Sequence, residues 1–367
     1  MSIEFIGMIG PKKVSEIHPA QGPALDPDYI ARFAQAHEQS GFDRILIAQH
    51  SSDADPFLVT SHAAAATKKI GFMLAHRPGF IAPTMAARKF ATLDQLSGGR
   101  LAVHIISGGD DEEQQRDGDF LSHDERYART DEYLGILRKV WTNDQPFDHA
   151  GKYYRFKNSY SEVRTVQKPH IPIYFGGASP PAVQVAGKHA DVYALWGETH
   201  EQVRDIIRQV SAEAEKHGRK PRFSVSFRPI LADTEEAAWA RAESILAETR
   251  RIRKASGLSS ASGDSKQSEG ARRLLATAER GDRHDRCLWT AIAKEIGGRS
   301  NSTALVGTPE QVAHALLDYV DLGVSTFLIR GFDPLEDAID YGRKLIPLTR
   351  QLVAARSADR IAQRKQK

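Results

Sequence analysis

Short apolar runs recur along the chain, and amphipathic helical patterns separate them. The runs are Ile3–Met8, Ile45–Ala48, Ile70–Ala75, Leu101–Ile106, Ile171–Phe175, Val192–Trp196, Phe223–Leu231 and Thr326–Ile329. Several are apolar almost throughout, as strands buried on both faces are. Eight such runs alternating with helices predict an α/β fold, a closed parallel (β/α)8 TIM barrel with insertions. The intervening patterns carry their own start and stop signals. A helix predicted from Asp28 ends before Gly41, a glycine suited to the left-handed position past a helix end. Another starts at Pro83 and stops before Gly98-Gly99. Ser179-Pro180-Pro181 opens a third, with Ser179 as N-cap and proline in the first turn.

Two stretches break the rhythm. Residues 142–170 read as an irregular, aromatic-rich insertion. Residues 255–303 are rich in Ser, Gly, Arg and Asp and carry little β character. A segment that long between the seventh and eighth strands is either a small helical excursion or a mobile lid. The expected organisation is one barrel domain over residues 1–350, followed by a basic C-terminal tail at 351–367 that frays from Arg356 to Lys367.

Composition narrows the class. Hydrophobic residues make up 41% and charged residues 26% of 367, enough for a globular core that needs no disulfide or metal. The single cysteine, Cys287, rules out an internal disulfide framework and points to a reducing cytoplasm. The start Met-Ser-Ile-Glu-Phe-Ile lacks a basic region followed by an apolar one, so no secretory leader is expected. No apolar run reaches membrane-spanning length. With 50 basic and 47 acidic residues, the charge balance argues against nucleic acid as a partner.

In a parallel barrel the active site lies at the C-terminal ends of the strands. That rule selects His50 after strand two, His76 and Arg77 after strand three, Ser107 after strand four and Gly176-Gly177-Ala178-Ser179 after strand five. It also selects Trp196 on strand six, Ser226 and Arg228 on strand seven, and Arg330 and Phe332 after strand eight. The glycine turn lets backbone N–H groups approach an anion at a helix start. His123 and Tyr127, four apart on one helix, could reach the same ligand; a tight turn and a surface pair are the competing readings. Arg77, Arg228, Arg299 and Arg330 fall at strand ends or in the lid segment, and a guanidinium fork suits sulfonate or phosphate. A rim ion pair is the alternative for each. No metal-ligand spacing, Gly-x-Ser-x-Gly elbow or dinucleotide fingerprint is present.

Ordered segments of the chain resemble one family. They are RPGFIAPTMAARKFATLDQLSGGRLAVHIIS (77–107), DGDFLSHDERYARTDEY (117–133), PIYFGGASPPA (172–182), DVYALWGE (191–198), STALVGTPEQVA (302–313) and FLIRGFDPLEDA (327–338). They are similar to the bacterial luciferase-like flavin monooxygenases, most closely the alkanesulfonate monooxygenase branch. The resemblance implies a luciferase-like barrel, reduced FMN (FMNH2) with O2 as co-substrate, and a separate NAD(P)H:FMN reductase. It also implies a homo-oligomer, dimer or tetramer. By the same resemblance, His123, Tyr127 and Ser179 contact the flavin phosphate, Trp196 lines the pocket, and Arg299 lies close to an arginine of the family's mobile loop.

The departures cluster in the pocket. Phe332 stands where alkanesulfonate enzymes have tyrosine, Asp53 stands near a family cysteine, and Ser226-x-Arg228 replaces Arg-x-His. The segment MIGPKKVSEIHP (8–19) stands in place of the family's N-terminal PTHGDG region, so the histidine of that region has no direct match. The expectation is therefore C–S cleavage of an organosulfonate to sulfite and an aldehyde, with a hydroxylated substrate such as the sulfosugar sulfoquinovose in view. Arg228 and Arg299 would hold the sulfonate, and His50 or His76 would move the proton. A luciferase-like oxygenase acting on another substrate, a deazaflavin-dependent reductase and a non-catalytic flavin-binding barrel are the alternatives.

Overall fold

A computed structural model describes residues 2–257, 268–298 and 302–365. Eight parallel strands run β1 Glu4–Ile9, β2 Arg44–Ile47, β3 Gly71–His76, β4 Leu101–Ile105, β5 Ile173–Gly176, β6 Val192–Trp196, β7 Arg222–Leu231 and β8 Val324–Ile329. Each pairs with the next in chain order, and β8 returns to β1, so the sheet closes. All eight predicted strands are barrel strands.

Side-chain alternation divides each strand between lumen and outer layer. Ile6, Met73, Ala102, Tyr174, Val192 and Leu328 form one buried cluster, with Leu46 against it. The ladder puts Met73 beside Ala102 and Tyr174 beside Val192. This is the lumen core. The opposite faces of the same strands, including Phe5, Ile45, Phe72, Val103 and Phe175, pack with the helices in the large outer core.

Local chemistry starts the helices where the sequence signals them. Helix α1 (Pro27–Gln39) is capped by Asp26, α2 (Pro56–Ala65) by Asp55, and α3 (Pro83–Leu96) opens on proline. Helix α4 (His123–Thr142) starts with a Ser122/Glu125 capping box, which satisfies two orphan N–H groups reciprocally. Helix α5 (Pro180–His189) opens on two prolines, and α6 (His200–Glu215) on a Thr199/Gln202 capping box. Gly41 sits at φ 77° past the end of α1.

Both irregular stretches contain regular structure, and the second includes the helical excursion that was one of its two readings. Residues 142–170 hold an antiparallel pair, Phe147–Ala150 with Arg155–Ser159. The long segment before β8 holds a helix (Glu269–Glu279), short strands Arg283–His284 and Leu288–Trp289, and a second helix (Ala291–Glu295). Leu288–Trp289 pairs with Ala304–Gly307, which runs parallel to the far half of β7. The stretch from Arg356, expected to fray, instead continues the helix Ile346–Lys365, whose earlier turns bury Val353. No helix among the described residues is long and apolar enough to cross a membrane.

Candidate active site

Two groups of residues occupy opposite sides of the barrel mouth. The first stands at the end of β5. Gly177 has φ 132°, and a Cβ there would come within 2.7 Å of the Tyr127 hydroxyl and 2.8 Å of Ala182 Cβ. Glycine alone fits that backbone and that approach. Tyr193 donates its hydroxyl proton to the Gly177 carbonyl. Ser179 takes the N-cap position of α5, yet its side chain makes no cap hydrogen bond. Its Oγ lies 3.5 Å from His123 Nε2, and the His123 and Tyr127 rings are 4.8 Å apart. Burial raises the Tyr127 hydroxyl pKa, so it remains an O–H donor. The fold thus brings Gly177, Ala178, Ser179, His123 and Tyr127 together. Ser107 is not in this group; its hydroxyl is buried against Thr130 on α4 at 3.0 Å.

The second group spans β7, β8 and the loop after β1. Arg228 is fully buried. Its Nη1 lies 2.7 Å from Glu16 Oε1, and its Nη2 donates to the Gly331 carbonyl at 2.9 Å. Its guanidinium stacks 3.5 Å above the Phe332 ring. Arg330 reaches the same Glu16 oxygen at 3.4 Å and touches Met8 Sδ. Burial would raise the Glu16 carboxyl, but Arg228 and Arg330 outweigh it and hold it at about 2. Burial and the neighbouring Arg228 push Arg330 down to about 10. The loop that carries Glu16 is pinned in place: Ser15 Oγ donates to the Phe332 carbonyl at 2.6 Å, and His18 pairs with Asp333 at 2.6 Å. A cavity of about 200 Å³ opens beside this group. It is lined by Arg228, Arg330, Lys12, Ser15, Tyr29, His50 and Asp53, with Phe33, Ile47 and Val59 among its apolar walls.

His50 lies half-exposed on the rim, 3.2 Å from Glu113; that hydrogen bond outweighs burial and raises its pKa. Glu113 also holds Arg77 at 2.7 Å. His76 is a correction. It faces outward from β3, its Nε2 is 2.7 Å from the Tyr133 hydroxyl, and it packs among Phe57 and Phe90. Burial holds it near 3, so it is a neutral imidazole in the helix layer rather than a group at the mouth. Phe332 is another: it is fully buried in the secondary core with Ile230 and Trp289, so it supports Arg228 from beneath instead of lining the cavity. Arg299 lies outside the described residues.

Trp196 and Ser226 are ladder partners on β6 and β7. Ser226 Oγ is buried with no hydrogen-bond partner among the described residues. Gly270 of the helix Glu269–Glu279 lies over Trp196, close enough that a Cβ there would be 3.2 Å from the ring. Arg273 of that helix grips Glu198 at 2.9 and 2.7 Å. Ser268 at its start approaches Gly109, so this segment crosses from the end of β4 to the end of β6.

Two site residues escaped the sequence reading. Glu16 sits in the segment 8–19, which carries no motif. His104 is the lumen-facing ladder partner of Ala75 and Tyr174. Its Nδ1 is buried without a partner among the described residues, and burial holds its pKa near 4. Strand alternation from Ala102 would have found it, because position 104 is on the lumen face.

Residues 4–326 match the family model described as luciferase-like monooxygenase. Among solved structures, a riboflavin lyase holding a modified FMN and riboflavin superposes with a TM-score of 0.79 at 21% identity, covering 96% of this chain and 92% of that one. A long-chain alkane monooxygenase gives 0.76 at 19% identity, with 96% and 92% covered. An EDTA monooxygenase from Chelativorans sp. BNC1 gives 0.75 at 18% identity, with 96% and 94% covered.

Proposed function

We propose that this chain, which belongs to the luciferase-like monooxygenase family, is an FMNH2- and O2-dependent monooxygenase that cleaves the C–S bond of an organosulfonate. The observation that carries this reading is the Arg228/Arg330 pair lining a cavity across the mouth from the β5 turn. One sulfonate, one O2 and one FMNH2 would give sulfite, an aldehyde, FMN and water. One oxygen atom ends in the aldehyde and the other in water. A separate NAD(P)H:FMN reductase would supply the reduced flavin, in keeping with the missing dinucleotide fingerprint.

The β5 group fits a phosphorylated cofactor. Ser179 Oγ is not spent on capping, the Tyr127 hydroxyl stays protonated, and Gly177 keeps side-chain bulk out of the turn. His123, Tyr127 and Ser179 would hold the FMN phosphate by charge-assisted hydrogen bonds. Reduced FMN, when bound, supplies the electrons that activate O2. The chain then does four things. Arg228 and Arg330 hold the sulfonate and, through it, fix where the adjacent carbon lies. The segment 268–298 lies over Trp196 and excludes water. His104, neutral and lumen-facing, offers a nitrogen to the reacting groups. His50, with its raised pKa, exchanges a proton with solvent at the rim. The narrower reading is a hydroxylated substrate, a sulfosugar such as sulfoquinovose, whose hydroxyls would meet the polar lining residues His50 and Asp53.

The test is a sulfite-release screen over a panel of sulfonates, including sulfosugars, with a flavin reductase and NAD(P)H supplied. Sulfite release should depend on the reductase. Oxygen uptake without sulfite from any member of the panel would refute desulfonation. Rapid NADPH-driven bleaching of flavin by the purified chain alone would refute the separate reductase.

A further inference from the structure

The cavity beside the arginines bends over the edge of the barrel. Met8, Ala48 and Arg330 in its lining continue the lumen faces of β1, β2 and β8, which begin with Ile6, Leu46 and Leu328. Ile9, Ile47 and Ile329, also in the lining, belong to the outer faces of the same three strands. Side-chain alternation puts the two sets on opposite sides of the sheet. Those strands are hydrogen-bonded to one another, so their two faces connect only over the strand ends. There the lining residues are Gly10 after β1 and Gly331 after β8, and neither brings a side chain into the passage. The cavity therefore has an inner arm above the lumen and an outer arm in the helix layer.

The two arms differ in chemistry. Arg228 and Arg330 stand at the inner one. The outer one is walled by Tyr29, Phe33 and His37 of α1, Val59 of α2, Ala338 of the helix Pro334–Asp340, and Tyr341. Helix α1 packs against both of the other helices, which closes the layer. Two of the polar tips here are spent inside the protein. Tyr341 donates to the Pro229 carbonyl at 2.5 Å, and His37 Nδ1 donates to the Phe33 carbonyl at 2.8 Å. Burial holds the His37 imidazole near 4, so it is neutral. The Tyr29 hydroxyl is buried with no partner among the described residues. What the outer arm offers is mainly ring faces and aliphatic carbon, which suit an aromatic guest. An apolar cavity of about 150 Å³ holds benzene. This one measures about 200 Å³, room for a ring in one arm and a sulfonate in the other.

We infer that the outer arm is a subsite for a ring-sized apolar group, so that the chain takes an arylalkyl sulfonate with its ring in the helix layer. The inference rests on the proposed role of Arg228 and Arg330 as the anion seat. The ring anchors the substrate behind the sheet, while the sulfonate and its adjacent carbon stay above the lumen. Hydroxyls that meet His50 and Asp53 at the rim do not conflict with it.

The experiment measures binding to the flavin-free full chain, by thermal shift and calorimetric titration at constant ionic strength. Its probes are methanesulfonate, 2-hydroxyethanesulfonate, phenylmethanesulfonate and benzene. Phenylmethanesulfonate should bind at least roughly tenfold more tightly than methanesulfonate, since even one methylene in an apolar pocket is worth about that much. The hydroxyethyl compound should gain nothing comparable. Ala338→Leu extends a side chain into the outer arm, so the affinity ratio of phenylmethanesulfonate to methanesulfonate should fall to near unity. Should that variant fail to fold, Val59→Leu fills the arm from α2 and is read in the same way. Benzene should raise the melting temperature of wild type but not that of the filled variant. Equal affinity of wild type for methanesulfonate and phenylmethanesulfonate would overturn the inference, as would a ring preference that survives in the filled variant. Benzene binding without binding of any sulfonate would instead refute the anion seat, so the two failures are distinguishable.

Discussion

The β5 end of the mouth and the β8–β1 end both look built for an oxyanion, yet they are made in different ways. At β5 the groups are short and mostly neutral: a glycine turn, a serine hydroxyl, a tyrosine hydroxyl and one half-exposed histidine. At β8–β1 they are long, buried and ionised, and a carboxylate already answers two guanidiniums. A site of neutral donors adapts to its ligand's charge state and costs little when empty. A site of buried charges is stable only when its charges nearly balance, because an unpaired buried charge is heavily penalised. The first design suits a cofactor that comes and goes. The second suits discrimination among substrates.

Breaking the charged end should give the largest effect. Truncating an arginine that binds a buried oxyanion costs about 2–5 kcal/mol, so Arg228→Met should lower kcat/KM for the sulfonate at least roughly thirtyfold. FMN affinity should stay near wild type. A melting curve belongs beside the kinetics, since Glu16 then loses its closer partner. Glu16 gives the next effect through acid stability. Its folded pKa of about 2 lies below the ordinary 4.5, so its contribution is fully present above about pH 4.5 and is lost as pH falls through 2. That shift corresponds to about 3 kcal/mol. E16Q should flatten the acid limb of the unfolding-versus-pH curve over this window, and an unchanged limb would remove the coupling.

At the β5 end, Gly177→Ala forces a residue with a side chain to φ 132° against Tyr127. Strain of that kind costs about 1–3 kcal/mol. FMN binding should weaken by roughly tenfold or more, while sulfate and methanesulfonate binding stay unchanged. The smallest effect is expected at the segment that crosses between the two ends. Arg272→Ala removes an exposed pair with Glu269 within the helix Glu269–Glu279, worth about 1 kcal/mol or less. Proteolysis within residues 268–298 should quicken modestly, and FMN plus sulfonate should slow it. Equal cleavage with and without ligands would remove the lid role.

What the sequence revealed follows the same division. The barrel was legible because each strand needs only a local apolar run, and the helix starts because caps and prolines act within four residues. The β5 group was legible because His123, Tyr127 and Ser179 lie in segments with strong family resemblance. The charged end was not. Glu16 meets Arg330 across 314 residues of chain, and no local pattern announces such a contact. His76 looked like a mouth residue because it ends β3, but strand parity turns it outward among Phe57, Phe90 and Tyr133. The same parity turns His104 inward, one strand over. A helical excursion was one reading of residues 255–303, but the bounds of the helix Glu269–Glu279 were hidden by a polar composition, since it buries only Ala271, Leu274, Thr277 and Ala278.

The claim that the mouth has two separate ends is tested most directly by an FMN titration, read as quenching of flavin fluorescence, with and without a saturating organosulfonate. With the cofactor phosphate at β5 and the sulfonate on Arg228 and Arg330, the FMN dissociation constant should be unchanged or lower when the sulfonate is present. A constant that rises in proportion to sulfonate concentration would mean that the two anions compete for one seat, and would contradict the account.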